Sequence, residues 1–158
     1  MAGVAIKNLT RRSHASRAAF NTIVTEVLPH WDISLVFVGP TRARTLNTRL
    51  RRKDYIPNVL SYSLGPKSGE IIICLAEAEK QAPAYGMKGR AFVLYLFIHG
   101  LLHLKGWAHG ATMELCERKL VAKFVTGDAR SLLNVTTHRN RNRHRHVPSK
   151  DGRRRRAR

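Results

Sequence analysis

Acidic side chains, cysteine and long apolar runs are what this sequence has least of. Cys74 and Cys116 are the two cysteines in 158 residues, far apart and without Cys-x-x-Cys spacing. That excludes a disulfide scaffold, and both are read as buried, reduced thiols. The longest apolar run, Ala91 to Ile98, is far short of the roughly 20 residues of a membrane-spanning helix. The N-terminus has no apolar signal-peptide segment. The expectation is a soluble, cytoplasmic protein that does not engage a membrane.

Asp and Glu number 10 against 29 Lys and Arg, a formal charge of +19. The last 21 residues, His138 to Arg158, hold ten of those cations and one Asp, which leaves +10 on residues 1–137. In that body 66 of 137 residues are apolar, the share of an ordinary globular domain. The chain divides accordingly into one folded domain over 1–137 and a basic arm over 138–158. The arm's only apolar residues are Val147 and Ala157, too few to offset the entropy of ordering it, so it is expected to be disordered. A basic body with a basic arm calls for a polyanion, RNA or a ribosome surface. An anionic membrane fits less well, because the arm has no Trp, Phe or Leu face.

Periodicity predicts a strand at Val4–Leu9 and a helix from Ser13 to about Leu28, with Phe20, Ile23, Val24, Val27 and Leu28 at helical spacing. A strand follows at Ile33–Val38, then a helix from Thr41 to about Arg51 with Leu46 and Leu50 facing inward. Val59–Leu64 and Glu70–Cys74 read as strands joined by a Gly-Pro-Lys-Ser-Gly turn. A helix at Leu75–Ala82 is cut by Pro83. The next runs from Lys88 to Gly106, and from Ala91 to Leu104 it is apolar nearly all round, as a buried central helix must be. The last helix starts near Thr112, carries Glu114 and Glu117 early and Lys119 and Lys123 late, as the helix dipole favours, and closes at Gly127. Strands early and helices late indicate an α+β fold with one sheet.

The central helix carries the most informative pattern. His99 and His103 lie one turn apart on one face. Gly106 lets the chain leave the helix sharply, and His109 can reach the same point from the turn. With 8 His and 11 Gly in the chain, His-x3-His-x2-Gly-x2-His is expected about 0.001 times by chance. Three buried imidazoles on one side of an apolar helix are costly without a shared ligand. Three neutral imidazoles with a fourth position open are what a catalytic zinc site requires, here one Zn2+ per chain. The spacing also matches the long metzincin protease motif, whose Glu after the first histidine is the general base. Here that residue is Gly100, which argues against a protease and for a phosphodiester substrate.

The block His99-Gly100-Leu101-Leu102-His103-Leu104-Lys105-Gly106-Trp107-Ala108-His109 resembles the signature of the YbeY family, His-Gly-x-Leu-His-Leu-x-Gly-Tyr-Asp-His. Leu46-Asn47 through Arg51, Lys53-Asp54 and Asn58-Val59-Leu60-Ser61-Tyr62 are similar to an upstream block of the family. Gly69-Glu70-Ile71 with Ile73-Cys74 resembles its Gly-Asp-Ile strand. The resemblance covers about residues 30–125. It implies a small mixed sheet packed with about five helices, zincin-like, its central buried helix carrying the metal ligands. It further implies a metal-dependent, single-strand-specific endoribonuclease acting in ribosomal RNA maturation and ribosome quality control. The ligands would be His99, His103 and His109, with Arg51 in the place of the family's functional arginine. The chain departs from the family pattern at Ala108, Glu70, Arg52 and Pro57.

Arg42, Arg44, Arg49, Arg51, Arg52 and Lys53 crowd six cations into twelve residues, badly placed for helix stability at the first turn. Arg51 can clamp a phosphate oxygen, and its structural alternative is a surface ion pair with Asp54. Arg49, Arg52 and Lys53 are read as RNA contacts. Trp107 and Tyr62 can stack bases, though a core or turn role is favoured for both. The partner is then RNA, ribosomal RNA or the small ribosomal subunit. The competing reading from another class is a non-catalytic RNA-binding ribosome assembly factor with a structural metal.

Overall fold

In the computed structural model, which describes residues 2–125, four strands form one mixed sheet. They are β1 (Gly3–Asn8), β2 (Asp32–Val38), β3 (Val59–Gly65) and β4 (Ser68–Cys74), in the order β1-β2-β4-β3. β1 and β4 flank β2 in parallel, and β3 pairs antiparallel with β4 through the predicted hairpin. The parallel neighbours require crossovers. Between β1 and β2 the chain makes α1 (Arg17–Val27), and after β2 it makes α2 (Pro40–Arg51) before β3. Then come α3 (Leu75–Gln81), a short 3-10 turn over Ala82–Tyr85, α4 (Gly89–Leu104) and α5 (Ala111–Phe124). The α+β class with five helices is the expected one.

Alternation along β4 divides the core between the two faces of the sheet. Ile71 and Ile73 join the large core with Phe20 and Ile23 of α1, Ala78 of α3, Phe97, Leu101 and Leu102 of α4, and Val121 of α5. Ile72 and Cys74 face the other way, with Val38, Leu60 and Ala43 of α2. α4 lies so close to the sheet that a Cβ on Gly100 would sit 3.1 Å from Ile71 Cδ1. A side chain at 100 would thus need Ile71 to give by a few tenths of an ångström.

Several expectations need correction. α1 begins at Arg17, because Ser16 rather than Ser13 caps it by accepting a hydrogen bond from the Ala19 amide. The buried face of α2 is Ala43 and Asn47; of the two leucines expected inward, Leu46 packs partly buried against the second core while Leu50 is 50% exposed. Asn47 is buried and donates to the Tyr55 carbonyl at 3.0 Å, tying the following loop to the helix. Both cysteines are free, but only Cys74 is buried and Cys116 is partly exposed. Among the described residues no helix is long and apolar enough to cross a membrane. The predicted stop at Gly127, the domain boundary at 137 and the arm at 138–158 lie outside the described residues.

Candidate metal centre

The end of α4 builds the site. Lys105 caps the helix and Gly106 takes φ +93°, in the left-handed region that L side chains avoid. The Gly106 amide donates to the His103 carbonyl at 2.9 Å and the Trp107 amide to the Leu102 carbonyl at 3.1 Å. This pair of bonds is a Schellman closure. It reverses the chain so that His109 returns beside the two helical histidines. Each of His99, His103 and His109 offers a ligand atom, and these atoms lie within 4.8 Å of one another. The ring centroids of His103 are 4.6 Å from those of both His99 and His109.

The rings of His99 and His103 are oriented from behind. His99 Nδ1 is 2.6 Å from Glu117 Oε2, and His103 Nδ1 is 2.9 Å from the Trp107 carbonyl oxygen. Both acceptors take a proton from Nδ1, which leaves Nε2 of each ring as the lone-pair donor. The two Nε2 atoms are 3.0 Å apart and point at one place. Burial, with the neighbouring His99 next in importance, pushes the His103 pKa below its ordinary 6.5. The Trp107 carbonyl and Glu117 oppose that shift, while the Arg51 cation adds to it. His103 is therefore neutral at neutral pH, the form that coordinates a cation. Three imidazoles whose ring nitrogens converge on one place are a donor set that fits Zn2+.

Arg51, the last residue of α2, lines one wall of the adjoining cleft of about 390 Å³. Asn58, Val59, Leu60 and Ser61, at the start of the edge strand β3, line another, and the three histidines complete it. The polar groups thus converge at one end of the edge strand. Asp54, the alternative partner considered for Arg51, is held by Arg44 through a two-point pair of 2.7 and 3.0 Å. That guanidinium keeps the Asp54 carboxyl below its usual range, mainly by hydrogen bonding. Arg49, Arg52 and Lys53 are exposed and do not line the cleft. Arg52 sits at φ +55°, closing α2 in a conformation that favours glycine. Trp107 packs against the core, with Lys105 Nζ 5.8 Å from its ring centroid.

Glu70 is remote from this chemistry. Gly69 and Ile71 face α4, so Glu70 faces the opposite side of the sheet, between Ser34 and Tyr62. Its carboxylate accepts hydrogen bonds from both hydroxyls. Burial and this bond push the Tyr62 pKa up to about 12. The residue that sequence reasoning missed is Glu117, noted only as an early acid that suits the helix dipole. It is 4% exposed. The available signal was its place four residues from both Met113 and Val121, in the buried stripe of α5.

Comparison with known proteins relates the chain to one family. The family model described as "Endoribonuclease YbeY" matches residues 5–124. A protein of that name from Burkholderia ambifaria is 34% identical over 104 residues, covering 59% of this chain and 59% of its own length. One from Pseudomonas fluorescens is 34% identical over 106 residues, covering 59% of this chain and 70% of its own length. The chain thus spans a little under three fifths of the Burkholderia relative. A solution structure from Thermotoga maritima superimposes with TM-score 0.55 at 21% identity, covering 86% of this chain and 99% of that one. At that identity it speaks for the fold alone.

Proposed function

The chain belongs to the YbeY family, and from that premise we propose that it is a zinc-dependent, single-strand-specific endoribonuclease of the cytoplasm. Its substrate would be ribosomal RNA, alone or in the small ribosomal subunit, and its role RNA maturation and ribosome quality control. The observation that carries the reading is the convergence of His99, His103 and His109 beside Arg51 at an open cleft. His99, His103 and His109 would hold one zinc ion. When bound, the ion supplies Lewis acidity at the phosphodiester.

The chain's own groups do the rest. Arg51 presents a planar, permanently charged fork to a phosphate oxygen and offsets negative charge that grows there in the transition state. Arg49, Arg52 and Lys53 contribute backbone contacts to the RNA, and the basic residues 138–158 add affinity that does not depend on sequence.

A structural metal in a non-catalytic RNA-binding factor is the competing reading. Structural zinc sites are closed by four protein ligands, whereas among the described residues the cluster comprises three donors beside a cleft. The two readings part on one experiment with the purified full chain and a single-stranded RNA. Wild type cuts the RNA, and His103→Ala abolishes cutting while RNA binding survives. Cutting that persists unchanged in His103→Ala overturns the enzyme reading.

A further inference from the structure

The signature block lacks a carboxylate near the histidines: Ala108 stands immediately before His109, where the family's motif has Asp. The protein nevertheless places a carboxylate against the cluster from a different element. Glu117 lies in the second turn of α5, on the stripe Met113–Glu117–Val121 that packs into the large core. Its Oε2 is 2.6 Å from His99 Nδ1, while His99 Nε2 faces His103. Glu117 is 4% exposed and His99 9% exposed, so water competes little for either end of the bond.

We infer that Glu117 is the positioning residue of the metal centre, supplying from α5 the carboxylate that the signature lacks at Ala108. The inference rests on the three histidines being the metal ligands. Its physical content is a division of labour within His99. Accepting the Nδ1 proton fixes the ring in the tautomer whose Nε2 lone pair is free, and holds the ring plane in one rotation. The negative charge behind the ring makes the imidazole a stronger donor and stabilises positive charge held on its far side. His103 receives the same orientation from the Trp107 carbonyl but no charge. The two helical ligands therefore differ, and His99 is the ligand whose donor strength depends on a distant helix. α5, which carries none of the three histidines, thereby becomes part of the centre.

The test uses the metal-stripped full chain titrated with Zn2+ against a chromogenic chelator, beside long-range imidazole 15N NMR of the metal-free protein. Wild type shows His99 in the Nδ1–H tautomer. Glu117→Gln keeps the shape and an acceptor oxygen but removes the charge, and weakens zinc binding about 10-fold. Glu117→Leu removes the acceptor too, weakens binding toward 100-fold and releases the tautomer preference. Circular dichroism of the Gln variant matches wild type. Equal zinc affinity in wild type and Glu117→Gln overturns the inference and leaves the metal reading standing. A wild-type chain with no zinc affinity overturns both.

Discussion

The left-handed turn after α4 permits a quantitative experiment, because a second helix in the same molecule ends in the same region with the opposite residue choice. Gly106 has φ +93° and nothing within 4 Å of where a Cβ would sit. The cost of Gly106→Ala is therefore confined to the backbone. A Cβ in the left-handed region costs about 1–2 kcal/mol. Alanine recovers about 0.4–1 kcal/mol by restricting the unfolded chain. The net loss is about 1 kcal/mol, and with a urea slope of about 2 kcal/mol/M the unfolding midpoint falls by about 0.5 M. Arg52, at φ +55° after α2, carries the mirror-image situation. Arg52→Gly relieves a similar strain and loses about 0.5–1 kcal/mol of unfolded-state restriction, so its midpoint rises by a smaller amount. Gly106→Ala also weakens zinc binding, since the same turn brings the Trp107 carbonyl to His103 and returns His109. Paired urea titrations followed by circular dichroism, with zinc titrations alongside, decide the matter. Midpoints that move in the same direction, or a Gly106→Ala chain with unchanged midpoint and zinc affinity, would refute the argument.

Arg51→Ala is expected to lower the cleavage rate about 10²–10³-fold while zinc affinity stays near wild type, and Arg51→Lys to restore little of it, because an ammonium lacks the two-point fork; single-turnover RNA cleavage with a parallel zinc titration reads both. The metal-free protein should lose stability as pH falls below about 6.5. The folded pKa of His103 lies below that ordinary value, so in the window between the two the unfolded chain binds the extra proton. Melting temperatures from pH 8 to 5 should show that fall, and His103→Gln should reduce its slope. Ending the chain at Thr137 should lower RNA affinity and flatten its dependence on salt, measured by fluorescence anisotropy at several salt concentrations, because it removes ten Lys and Arg.

The order of elements and the large core were legible because their signals are redundant. α4 is apolar on every side, and Phe97, Ile98, Leu101 and Leu102 are fully buried as its pattern requires. The convergence at 99, 103 and 109 was legible because two histidines share a helical face and Gly106 permits a single way out. α2 was harder. With so few apolar residues, its pattern does not choose between the 43/47 and 46/50 faces. The choice is made by Val38, Leu60 and Ile72, against which Ala43 packs fully and Leu46 in part while Leu50 stays exposed. The start of α1 turned on which of two nearby serines meets a free amide, a matter of backbone geometry. Glu117 was misread because charge order along α5 explains an early acid equally well. Only the meeting of α5 with α4 distinguishes a solvated carboxylate from one pressed against an imidazole.

Gly100 has a consequence for the chemistry open to this scaffold. Peptide-cleaving zinc enzymes with the same histidine spacing carry their proton acceptor at the position Gly100 occupies. Here a Cβ at that position would sit 3.1 Å from Ile71 Cδ1, so a longer side chain needs Ile71 to give by a few tenths of an ångström. Acquiring proteolysis would therefore mean repacking Ile71 in the seam between helix and sheet as well as changing one codon.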